Sequence, residues 1–362
     1  MTNMKKSYNL LTTSSFIGLL IGFASSLFAG NPDRAGQAGA TELLINPWAR
    51  SSGWAGANVA GSRGLESMYT NIAGTAFTKK TELMFARTQW LKGTDININS
   101  FGLTQHVGET GAVGLAITAM DFGDIPITTV DAPEPISGTF SPQYLNIGLS
   151  YAKGFSDNIY GGMAIKVITE KIANLSARGI ALDAGIQYVT GKNDQMKFGI
   201  ALKNVGPRMK YSGDGLSFKT PVPSTTQNTT MTVEQRAAQY ELPSLLNIGA
   251  GYDFYFNQDS LKLKDNRITA MVAFTSNSFS KDEIKFGAEY GWKNILMVRV
   301  GYCYEKGILT TDTRTTVYTG PTAGFSLEMP FGKNKSTFAL DYSYRSTNPF
   351  GGTHSIGARI NL

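Results

Sequence analysis

Apolar and polar side chains alternate with a period of two along most of the chain. Leu145, Ile147, Leu149 and Tyr151 are separated by Asn146, Gly148 and Ser150. The same rhythm runs through residues 180–188, 196–202, 284–292, 296–304, 338–344 and 356–362. Period two sends successive side chains to opposite faces of an extended backbone, so each segment predicts a β-strand with one apolar face. Weaker alternation fills residues 82–91, 96–107, 112–122, 159–169, 246–256, 268–275 and 323–329. The total is about fourteen strands, an even number, as bacterial membrane barrels have.

A soluble β-sandwich alternates too, with its apolar faces turned toward each other. Three features point to a membrane barrel instead. The segments are about ten residues long, the length a tilted strand needs to cross a bilayer. Their apolar faces carry Tyr or Trp toward one end (Tyr151, Tyr188, Trp292, Tyr302, Tyr304, Tyr342, Tyr344). That is where an aromatic girdle meets lipid headgroups. The connections also sort by side. Residues 108–111, 153–158, 190–194, 292–294 and 330–335 are short turns, and the long loops 123–141, 204–243 and 306–321 fall on the opposite side. The predicted fold is therefore all-β, a transmembrane antiparallel β-barrel of about 14 strands, with the charged alternate positions facing a wet lumen.

Composition agrees with this solvent. Charged residues make up 17% of the chain, and it holds 40 Gly, 16 Tyr and 20 Phe. Residues 1–29 read as a signal peptide: Lys5 and Lys6 precede a short apolar core at 16–24, and small residues follow. Cleavage is expected between 26 and 30. Its removal takes away two lysines and no acid, so the net charge falls from +6 to +4. The remaining basic residues are scattered rather than clustered, which argues against a nucleic-acid partner. Cys303 stands alone, so no internal disulfide forms. His106 and His354 lie far apart with no Cys or acidic cluster beside them, and neither a metal site nor a cofactor is expected.

One stretch breaks the alternation. Residues 51–77 hold Gly53, Gly56, Gly61 and Gly64 among alanines. Gly56 and Gly61 have P-loop spacing, but Ser62 and Arg63 follow where a P-loop needs Lys and then Ser or Thr. Residues 42–77 resemble the opening of the PorV (LptO) family, outer-membrane components of the type IX secretion system related to the FadL long-chain fatty-acid transporters. The matching features are Leu44-Ile45, Pro47-x-Ala49-Arg50, Gly53-x-Ala55-Gly56-Ala57 and Val59-Ala60, with Tyr69, Asn71 and Ala73 matching more loosely. FadL relatives usually carry Asn-Pro-Ala where this chain has Asn71-Ile72-Ala73. The resemblance implies that residues 30–78 fold back as a hatch inside a barrel of residues 79–362. Trp48, Arg50, Trp54, Gly56 and Tyr69 are then hatch residues, and the small residues serve close backbone approach.

The resemblance further implies a role in protein export. Partners would be a SprA-type translocon barrel, secreted proteins with C-terminal signal domains, attachment-complex proteins, and membrane lipid or lipopolysaccharide. The long loops supply candidate partner contacts at Ile125, Ile127, Val130, Ile136, Phe140, Tyr211, Phe218 and Tyr240. Residues 233–242 within the second loop have helical composition. The alternative is a FadL-like channel for hydrophobic small molecules, which predicts an apolar pocket near the hatch. An enzyme is not expected: there is no G-x-S-x-G elbow, and neither histidine sits in a triad pattern.

Overall fold

The computed structural model describes residues 30–131, 133–134, 138–222, 229–256, 266–332 and 336–362. The expected signal peptide and Ile136 lie outside the described residues. Fourteen strands form the wall. In chain order they are β1 (Thr81–Gln89), β2 (Asn97–Val107), β3 (Gly111–Asp121), β4 (Gln143–Gly154), β5 (Ile159–Ile172), β6 (Leu175–Thr190) and β7 (Met196–Val205). Then follow β8 (Leu245–Phe256), β9 (Asn266–Asn277), β10 (Glu283–Trp292), β11 (Leu296–Glu305), β12 (Tyr318–Phe331), β13 (Ser336–Thr347) and β14 (Thr353–Asn361). Each strand pairs antiparallel with the next. The barrel closes where β1 meets β14, from Glu82 opposite Asn361 to Gln89 opposite His354. Closure leaves no open sheet edge in the bilayer, where unpaired backbone groups are costly.

Register turns the alternation of each strand into a continuous outer band. Leu115 lies opposite Leu149, Leu149 opposite Ile165, and Ile165 opposite Leu182. Farther round, Ile186 faces Ile200 and Ile200 faces Ile248. All are exposed, Leu149 at 61%. A belt of this kind suits acyl chains; soluble proteins keep such patches small. Tyr151, Tyr188, Tyr290 and Trp292 stand exposed toward the end of the barrel with the short turns, as a girdle requires. Tyr342 and Tyr344 pack on His354 near the opposite end.

The inward positions are small or polar and bury against residues 30–78. This inner segment is a string of short helical turns with no long periodic element. Ala49–Ser52 packs on β1, β12, β13 and β14, Asn58–Ala60 on β7, β8 and β9, and Ile72–Phe77 on β3 to β6. Two wall glycines show why bare backbone is needed there. A Cβ on Gly301 would lie 2.6 Å from the Trp54 carbonyl carbon, and one on Gly199 would lie 2.7 Å from the Val59 oxygen. Buried Asn71 fastens the segment to the wall. Its Nδ2 donates to the Val59 carbonyl at 3.0 Å and to the Ile186 carbonyl of β6 at 3.1 Å.

Residues 233–242, helical in composition, do not form a helix. Thr230–Glu234 pairs as a strand with Ser217–Pro221, and Gln239–Tyr240 pairs with Met209–Ser212, which itself pairs antiparallel with β6. Thr230, Thr232 and Val233 are β-branched, and the stretch left over is too short to nucleate a helix.

Candidate functional site

A half-open cavity of about 70 Å³ separates the inner segment from the wall formed by β3, β4 and β5. The inner segment contributes Glu42, Leu43, Ile45, Trp48, Met68 and Tyr69. The wall contributes inward positions of three neighbouring strands: Ala116, Asn146, Gly148, Ala164 and Lys166 among them. Small wall residues leave the space, and large inner-segment residues shape it. Trp48 is almost wholly buried, and its backbone N–H donates to Asn46 Oδ1 at 3.0 Å. Asn46 is in turn tied to Ser51 at 2.8 Å. The Tyr69 hydroxyl donates to the Leu44 carbonyl at 2.7 Å, joining two separate turns of the segment. Lys203 lies over the Tyr69 ring, 3.6 Å from its centroid.

The charges in the cavity are unequal in their pairing. Lys166 is held by Asp183 at 2.8 Å and also donates to Asn204. Glu42 accepts no hydrogen bond of good geometry, although the Asn146 amide lies near enough to influence it. Burial pushes its carboxyl up to about 7, and the like charge of Glu170 adds to the shift.

Elsewhere, on β9 to β14, the lumen is lined by ion pairs. Arg299 donates to Glu289 at 2.9 Å and to Ser326 at 2.8 Å, and Arg267 reaches the same Glu289 at 2.8 Å. Arg359 pairs with Glu328 at 2.9 Å. Within the inner segment Arg50 sits 3.8 Å from Glu66. Burial raises the Glu66 carboxyl above the usual carboxylate range, against the pull of Arg50. A second, polar chamber of about 240 Å³ opens here, with Arg50, Trp54, Arg63, Lys197 and Asp253 in its lining. Gly56 follows Ala55 in a left-handed turn, at φ of +80° and +55°. Glycine adopts this conformation without the Cβ penalty.

The eight loop residues do not form one surface. Ile125, Ile127 and Val130 are exposed on the first long loop, and Phe140 lies opposite Ile125 in a short two-stranded bridge. Phe218 is exposed on the second long loop. Ile136 is outside the described residues. Tyr211 and Tyr240 instead turn inward, 5.8 Å apart, against Ala40, Leu43, Ile168 and Met209. Both hydroxyls donate to Glu170 Oε2, Tyr240 at 2.9 Å. Sequence reasoning passed over Glu42 and Asn146. Glu42 carried a signal: it is the one acid in the apolar run 42–48.

No family model and no curated sequence matches the chain. Solved structures do resemble it. The toluene transporter TodX of Pseudomonas putida superposes with a TM-score of 0.55 at 12% identity, covering 87% of this chain and 97% of that one. The toluene transporter TbuX of Ralstonia pickettii gives 0.50 at 14% identity, with coverage of 87% and 97%. A FadL homologue of Pseudomonas aeruginosa gives 0.50 at 11% identity, with coverage of 87% and 96%.

The fold is that of the FadL-type transporters. Identity this low speaks to architecture and leaves the ligand to the residues of the cavity. The architecture is that of an outer-membrane barrel, and the structures it resembles are transporters rather than enzymes.

Proposed function

We propose that the chain is a FadL-type outer-membrane channel for small hydrophobic molecules, with residues 30–78 as its hatch. One observation carries this reading: a cavity lined by Leu43, Ile45, Trp48, Met68, Ala116 and Ala164 lies between hatch and wall in a barrel of that fold. The cavity's size says how it works. An apolar cavity of about 150 Å³ accepts benzene, whereas this one offers about 70 Å³. A single aromatic ring therefore enters only if the hatch or the flexible Met68 side chain gives way, which couples binding to hatch displacement. The test is uptake of labelled toluene into liposomes carrying the purified full chain. Uptake should exceed that of protein-free liposomes and fall when hatch and wall are cross-linked through Cys pairs introduced at Met68 and Ala116. Equal uptake with and without protein overturns the reading.

A second reading, a translocon partner in type IX secretion, rests on the hatch motif and on the outer loops. Ile127 and Val130 are exposed, Val130 completely, on a proline-rich loop. Proline lowers the entropy lost when such a loop docks. Deleting residues 125–135 should abolish co-purification with a SprA-type translocon while the barrel keeps its heat-modifiable migration on gels. Unchanged co-purification removes this reading.

A further inference from the structure

The cavity beside the hatch holds acceptors that no protein donor satisfies with good geometry. Both Glu42 oxygens and the Asn146 Oδ1 are shut away from bulk solvent without a hydrogen bond of good geometry from the protein, although the Asn146 amide and the Glu42 N–H stand near the carboxyl. All three belong to residues that line the same space. The one cation on the lining, Lys166, is committed to Asp183 and Asn204, and the Tyr69 hydroxyl is committed to Leu44. Buried acceptors left idle are expensive, and the group that satisfies several at once is an ammonium, with three donors and a charge opposite to that of a carboxylate. The rest of the lining, Leu43, Ile45, Trp48 and Met68, suits a compact apolar body. Trp48 adds an aromatic neighbour, a surface favourable to a cation.

We propose that this cavity selects compact apolar molecules carrying a protonated amine, with Glu42 and Asn146 accepting hydrogen bonds from the ammonium. The proposal rests on the channel reading for the ligand's route and on the cavity alone for its selectivity. Carboxylates of similar shape are disfavoured, because Glu42 and nearby Glu170 are both acids and Lys166 is already paired.

The test uses the full chain in detergent micelles, titrated calorimetrically with benzylamine, toluene and phenylacetate. Benzylamine should bind at least about tenfold more tightly than phenylacetate, the discrimination expected of a charge-assisted hydrogen bond. Glu42→Gln, nearly isosteric, should lower the affinity for benzylamine relative to that for toluene, both measured on the same variant, by about tenfold or more. Heat-modifiable migration confirms that the variant is folded. Asn146→Ala gives a second, smaller loss for the amine only. Benzylamine affinity unmoved by Glu42→Gln, or phenylacetate binding as tightly as benzylamine, overturns the proposal. Liposome permeation separates the two readings. Toluene uptake with Glu42-independent amine binding removes the selectivity and keeps the channel. Glu42-dependent amine binding without permeation of any probe keeps the selectivity and removes the channel.

Discussion

Glu42 is the residue whose chemistry is least settled by its neighbours. Its carboxyl is raised from 4.5 to about 7, first by burial and then by Glu170. A shift of this size corresponds to about 3 kcal/mol. The sign follows from proton binding. The docked hatch holds the proton more tightly than the released one, so docking is strongest below pH 4.5 and weakens as pH rises toward 7, with the full penalty above that. Glu66, also raised by burial, acts in the same direction. The groups facing Glu42 are Glu170, Tyr144, Asn146 and Lys166. Amide exchange across residues 41–48, corrected for intrinsic rates, should therefore be faster at pH 8 than at pH 5.5. Glu42→Gln should flatten most of that difference. A flat profile in the parent chain would show that Glu42 is solvated and that the hatch does not bury it.

Among the elements, wall and hatch depend on each other through glycine. A side chain at Gly301 meets the Trp54 backbone, and nothing on the wall side can yield because β11 is paired on both edges. Gly301→Val should leave the strands intact, since valine favours strands, yet displace the hatch around Trp54. A red shift of tryptophan emission with unchanged far-ultraviolet circular dichroism is the expected outcome. An unshifted spectrum would mean that the segment tolerates a side chain there. The strands were legible because period two repeats wherever one face meets lipid, and even β14, ending at Asn361, kept it. The hatch was legible only as a run of small residues. Its turns are too short to show a period, and contacts such as Asn71 to Ile186 span more than a hundred positions. Residues 233–242 misled for the opposite reason: local helical composition yielded to pairing with distant strands. Tyr211 and Tyr240 looked like loop contacts in sequence, yet Glu170 draws both inward. Glu170 sits on β5, and pairing of β5 with β6, of β6 with Met209–Ser212 and of that segment with Gln239–Tyr240 brings the three together.

The molecule as a whole is a membrane barrel whose lumen is filled rather than open. The hatch touches strands right around the wall, and paired charges such as Arg299 with Glu289 occupy much of what remains. Such pairs add little net stability in isolation, but removing one partner is costly because the other stays buried. They tie neighbouring strands to one another, and the sheet itself is closed by pairing all the way round, so the barrel does not need the hatch to remain closed as a sheet. On the channel reading proposed above, this separates two functions that a soluble core would combine: the strands keep the wall, and residues 30–78 would set permeability. Deleting residues 41–76 should therefore leave a folded barrel that conducts ions. In planar bilayers the full chain should show almost no steady current at modest voltage, and the deletion variant a stable, ohmic one. Added hatch peptide should lower that current if the segment docks from outside the chain. A deletion variant that fails to migrate as a heat-modifiable barrel would show that the hatch is a structural core. A full chain that already conducts strongly would show that the lumen opens without hatch displacement.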